Sequence, residues 1–195
     1  MKVNFVKTFI PVKDFVAVEK VGNKMLVRFD AVKDADMDAY SCVEGSVSAS
    51  EYNEQEVRRE YEAWKQKWAE KALVLAKKAK IAEITAYDTS SSVNGFVLNG
   101  LLVWLDKATR VGLMNSTTIA KAAGQETTTL WLGGMKLVVD CDKAIQLLSA
   151  LEMYALDCFN VTASHKQAVS ELTTIEEVEA YDYKAGYPKM LEMSI

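Results

Sequence analysis

The side chains able to do chemistry are few, and their spacing does not suit it. His165 is the only histidine among 195 residues. It falls on the apolar track of a helical segment, where a core or boundary role is expected rather than a catalytic base. Cys158 precedes it by two turns on the same face, about 10 Å at helical rise. That is beyond the hydrogen-bond reach a thiol–imidazole pair needs. Cys42, Cys141 and Cys158 are odd in number and form no C-x-x-C. Neither a disulfide framework nor a zinc site is expected, and a reducing compartment fits. Asp140 with Asp142 and Glu176 with Glu177 are paired carboxylates, but both pairs point apart on a helix and sit at helix starts, where capping accounts for them. Arg110 is the residue that could hold an anion, against the plainer reading of a structural ion pair. Asp34, Asp36 and Asp38 fail the calcium-loop pattern, because Ala39 and Gly45 stand where Gly and Glu are needed; a turn accounts for them. No nucleophile elbow, zincin helix, Walker loop or dinucleotide fingerprint occurs. Gly133-Gly134 lies between strand-like runs and reads as a hairpin turn. No catalytic, cofactor-binding or metal-binding residue is expected.

Aromatic residues offer a different kind of site. Val57, Tyr61, Trp64, Trp68 and Leu75 fall at helical spacing in a segment without Gly or Pro, from Glu51 to Ile84. The track continues through Ala72, Ala79 and Ala82. Such a stripe either covers the chain's own core or forms a seam with a second copy, so these five residues are the candidate oligomer or partner interface. Two tryptophans so close together are bulky for a two-stranded seam, which favours packing on a sheet or in a wider bundle. Trp104 and Trp131 each fall in a hairpin arm. They are expected to meet on one face of a small sheet, with an exposed aromatic surface as the alternative.

The elements that position these residues give an α+β fold in three parts. Residues 1–50 read as a small antiparallel β unit used for docking. Val3, Phe5, Phe9 and Ile10 make a first strand that Pro11 interrupts; Phe15 to Val18 start a second; Gly22-Asn23 turns it into Met25 to Phe29. Residues 51–84 form the long amphipathic, coiled-coil-like helix, with Ser50 as N-cap. At about 33 residues it would be roughly 50 Å long. Residues 85–195 read as hairpin, helix, hairpin and long helix. Asn99-Gly100 turns the first hairpin. Asp106 caps a helix that buries Leu113, Met114, Ile119 and Ala123. A second long helix runs from about 141 to 172, and Thr174 to Glu177 form a capping box. The tail, ending in Met193 and Ile195, is apolar enough to dock.

The totals exclude some partners. A net charge of −4 leaves no basic footprint for nucleic acid. The absence of an 18-residue apolar run predicts no membrane span. The first ten residues alternate like a strand rather than a signal peptide.

Asp88 to Phe96, the Asn99-Gly100 hairpin, Trp104 to Arg110, Leu130 to Gly134, Leu151 to Ala155 and Asn160 to His165 occur in that order behind a charged helix. This arrangement resembles an uncharacterised C-terminal domain of tail-fibre and baseplate-associated proteins from tailed phages and prophages, over about residues 52–188. The resemblance implies a virion or virion-assembly role and supplies no catalytic residues. The expectation is a non-enzymatic structural or adaptor protein of a tailed-phage virion, made in the host bacterial cytoplasm. Its partners would be itself, as dimer or trimer, and other virion proteins. A tail-fibre assembly chaperone and a glycan-binding protein using Trp104 and Trp131 are the alternatives.

Overall fold

The computed structural model describes all residues from Met1 to Ile195. The chain forms two compact units, Met1–Ala72 and Leu73–Ile195. Helix α1, Glu54–Asp88, contributes its residues up to 72 to the first and those from 73 to the second.

The first unit is a four-stranded antiparallel sheet with one helix face packed on it. Its strands are β1 (Asn4–Pro11), β2 (Val18–Val21), β3 (Lys24–Lys33) and β4 (Ala39–Ser48), in the order β1-β4-β3-β2. Alternation decides the faces. Phe5, Val27, Val43 and Val47 project to one side and meet Val57 and Tyr61 of α1. Each such buried side chain contributes about 1.5–3 kcal/mol. Gly45 is required there, since a Cβ would lie 2.6 Å from the Phe5 ring. On the other face Arg28 bonds Glu44 (2.8 Å), Glu19 (3.1 Å) and the carbonyl of Val16 (2.7 Å). Phe15 covers Tyr40 at 4.6 Å between ring centres.

Several boundaries differ from the sequence reading. Pro11 closes β1, as expected, but a 3-10 turn over Val12–Asp14 delays β2 to Val18. That turn lets Phe15 fold onto the sheet. Gly22-Asn23 is the β2–β3 turn, as expected, with Gly22 at φ +58°. Helix α1 starts at Glu54 rather than 51. The hydroxyl of Ser50 is spent on Ser48 (2.9 Å), while the side-chain oxygen of Asn53 accepts from the Glu56 amide (3.1 Å) and caps the helix. It ends at Asp88 rather than 84, and Thr85 stays within it with its hydroxyl bonded back to the Ile81 carbonyl (2.7 Å). The aspartate loop is a turn: the Asp34 carboxylate accepts from the amides of Asp36 and Met37.

The second unit begins with the end of α1 and a short helix α2 (Ser91–Asn94) capped by Ser90. Strands β5 (Gly95–Leu98) and β6 (Leu101–Trp104) form the Asn99-Gly100 hairpin, both turn residues at positive φ. Helix α3 (Lys107–Ala122) is capped by Asp106. Hairpin β7 (Thr127–Leu132) and β8 (Met135–Asp140) turns at Gly133-Gly134. Helix α4 runs unbroken over Cys141–Glu171, with the Asp140 carboxylate accepting from two first-turn amides. Helix α5 (Ile175–Ala180) carries the expected capping box. The apolar tail docks as β9 (Leu191–Met193), parallel to β5, a strand too short to read from pattern. The main core gathers Phe96, Leu98, Leu130, Leu132, Leu148 and Leu151. The expected face of α3 was partly misplaced: Ile119 and Ala123 are exposed, while Arg110 and Thr117 are buried beside Leu113 and Met114. Arg110 lies in the buried track because its aliphatic stem packs and its head is bonded. No helix is long and apolar enough to cross a membrane.

Candidate functional site

In the first unit, sheet and helix together stack a row of rings. Phe29 lies flat on Tyr61 at 4.2 Å, Tyr61 on Trp64 at 5.9 Å, and Trp64 on Trp68 at 5.5 Å. Phe5 closes on Tyr61 and Trp64 from the side. The i, i+3, i+4 spacing of 57, 61, 64 and 68 puts these side chains over the sheet. Val57 and Tyr61 are wholly buried within this unit, and Trp64 is half-buried. Trp68 is 46% exposed, with the Lys7 ammonium 5.2 Å from its ring centre. The Tyr61 hydroxyl donates to Asp30, and burial with that carboxylate raises its pKa. Asp30 sits at φ +50° beside the irregularity between Phe29 and Val32 that aims it at the helix.

In the second unit, the residues of α1 that pack inward are Leu73, Ala76, Ile81 and Ile84, and Leu75 is exposed. The alanines at 72, 79 and 82 fit either registration of the stripe; within the unit, packing takes the Leu73 and Ile84 side and leaves Leu75 open.

A polar grouping joins α1, α4 and the chain's last turns, and no sequence motif announced it. Thr162 donates to the Asp88 carboxylate (2.8 Å) and accepts from the Tyr187 hydroxyl (2.9 Å). Asn94 donates to the Asp88 carbonyl. Tyr154 (2.6 Å) and the thiol of Cys158 (3.4 Å) both donate to the carbonyl of Val93. Burial pushes the Tyr154 hydroxyl up to about 12 and raises the Cys158 thiol as well. A wholly buried, protonated thiol is a poor nucleophile, and Thr162 is equally inaccessible. His165 is held from both sides: Nε2 bonds the Ala185 carbonyl (2.9 Å) and Nδ1 the Tyr181 hydroxyl (2.8 Å). A carbonyl only accepts, so Nε2 carries a proton and donates to Ala185. The histidine is a bracket for residues 181–187.

The other candidates are placed as follows. Arg110 bonds Glu152 (2.8 Å) and the Leu105 carbonyl (2.7 Å), a structural ion pair. Cys42, Cys141 and Cys158 are free and buried. Asp140, and Glu177 together with Thr174, cap helices, which holds Glu177 below the usual carboxylate range. Trp104 and Trp131 do not share a sheet: one lies in β6 of the three-stranded sheet, the other in β7 of the two-stranded one. Both face outward, 42% and 62% exposed. They fall on the outward parity of their strands, with Val103 and Leu130 on the inward one. No cluster of three or more His, Cys, Asp or Glu side chains is arranged to hold a metal ion.

The architecture is thus that of an α+β chain. A family model described as "Domain of unknown function (DUF4376)" matches residues 75–185, more than half of the chain, and the chain belongs to that family. The match begins just inside the second unit and stops before β9; its description states no activity. No curated protein and no solved structure matches the chain.

Proposed function

We propose that this chain is a non-enzymatic structural or adaptor component of a tailed-phage virion, acting through self-association and protein–protein contacts. The observation that carries the reading is how its groups are used. The hydroxyls of Tyr154, Thr162, Tyr181 and Tyr187, the Cys158 thiol, the His165 imidazole and the Asp88 carboxylate are bonded to one another or to backbone. Large apolar side chains such as Phe9, Trp131 and Phe159 stand exposed instead. Exposed apolar surface of that kind suits contact with other proteins. The sequence resemblance set out above supplies the phage context, with a virion location and synthesis in the host cytoplasm. The test is mass spectrometry of purified particles from a phage or induced prophage encoding the chain. Stoichiometric presence in the particle is expected. Absence from finished particles, with binding to unassembled tail fibres in the lysate, would overturn it in favour of an assembly chaperone.

A further inference from the structure

The sheet of the first unit extends beyond the core that α1 covers. Phe9 and Val32 both pair with Ser41, one from each side, so the three side chains share a face. It is the face turned to α1, because Lys7, two residues before Phe9, pairs with buried Val43 and reaches Trp68. There the cover stops. Phe9 is 61% and Val32 66% exposed, and Trp68, the open end of the ring stack, lies beside Lys7, the residue two before Phe9. Buried hydrophobic rows normally end in polar residues; this row ends in a phenylalanine and a valine facing water.

Charge gives the patch a direction. On its helix side stand Lys7 and, one turn beyond Trp68, Lys71. On its other side the loop joining β3 to β4 carries Asp36 and Asp38. All four are exposed, and none makes an ion pair within the chain. The order is therefore basic, apolar, acidic. A surface so ordered is complementary to itself when turned by a two-fold axis through its apolar middle: each copy's lysines face the other's aspartates, and Phe9 meets Val32 or Trp68.

We propose that this sheet end is the surface on which a second copy of the chain docks, isologously, through Phe9, Val32 and Trp68 with Lys7 and Lys71 opposite Asp36 and Asp38. The proposal rests on the self-association reading above and names its face. Val57 and Tyr61 have no part in it, because their own unit consumes them.

Charge exchange on the full chain tests it, read by sedimentation equilibrium with far-UV circular dichroism as the check on folding. The unaltered chain is expected to dimerise, more weakly in high salt. K7E/K71E and D36K/D38K each bring like charges together, and each alone is expected to weaken the dimer at least about tenfold. Mixed one to one, the two variants restore opposite charges at both contacts, and a heterodimer of near-original strength is expected. F9S, at an exposed strand position, should give a folded monomer. A dimer indifferent to both charge variants and to F9S would overturn this surface while leaving self-association intact. A chain monomeric at every concentration would overturn the surface and the self-association reading together.

Discussion

The two units solve the same problem with opposite materials. The first is held by rings: Phe29, Tyr61, Trp64 and Trp68 in a stack, with Phe5 at its side. The second closes its α1–α4 junction with hydrogen bonds centred on Thr162, Asp88 and Val93. A ring stack draws mainly on burial of apolar area, which is non-directional, and so tolerates an open end. A buried network must be completed, since each unmet group costs about 1–3 kcal/mol. That difference explains why the stack can end open at Trp68, while the α1–α4 junction is completed by the hydroxyls of Tyr181 and Tyr187, brought back from residues beyond α5.

Removing a ring should therefore give the largest effect. Tyr61→Ala deletes a wholly buried ring between Phe29 and Trp64 and removes the bond to Asp30. A loss of about 3–5 kcal/mol is expected in urea denaturation, with near-ultraviolet dichroism from the tryptophans lost as well. Tyr61→Phe keeps the stack, and only the bond to Asp30 should go. If Tyr61→Phe cost as much as Tyr61→Ala, the hydroxyl and not the ring would hold the first unit, and the contrast would collapse.

The matching cut in the second unit is Thr162→Val. It keeps the shape and removes both bonds, leaving Asp88 and Tyr187 to find other partners. About 1–3 kcal/mol is expected, with faster amide exchange in residues 181–187 as the local signature. An effect spread evenly over the chain, with no such signature, would mean the network does not hold that segment.

The sequence was most legible where turn chemistry is strict. Gly22-Asn23, Asn99-Gly100, Gly133-Gly134, the Asp106 and Asp140 caps and the Thr174 box all lie where their residue types demand. The first half of α1 was legible because large residues fixed the face. Its second half was not, because alanines and lysines left two acceptable faces and tertiary packing chose Leu73 and Ile84. The Thr162 network was invisible because its members are 74 and 25 residues apart in sequence. The Phe9–Val32 row depends on a register shift near Phe29 that no local pattern signals.

The contrast also predicts a pH response. Tyr154 is held neutral in the folded chain with its hydroxyl raised to about 12, whereas in the unfolded chain it ionises near 10. Its contribution is thus complete below about pH 10 and is lost as pH rises from there through 12. Cys158, also raised by burial, acts in the same direction. Chemical denaturation followed through amides of α2 and α4 should show stability falling above about pH 10, and Tyr154→Phe should flatten the fall. Stability that stayed level across that window would mean Tyr154 is not bonded in the buried state described.

The smallest expected effect is the most pointed. Thr117 is wholly buried in α3, and its hydroxyl has no partner, the one place where the second unit breaks its own rule of completed bonds. Burying an unmet hydroxyl opposes folding, and valine has nearly the same shape. Thr117→Val should therefore leave stability unchanged or raise it by up to about 1 kcal/mol, read as the urea midpoint at constant slope. Thr162→Val, the same exchange of residue types one helix away, should move the midpoint the other way. Opposite signs would show that the second unit depends on bonds being met and not on hydroxyls as such. A clear loss at both sites would mean that Thr117 has a partner in solution, most simply a buried water, and that the network reaches further into α3 than its protein atoms trace.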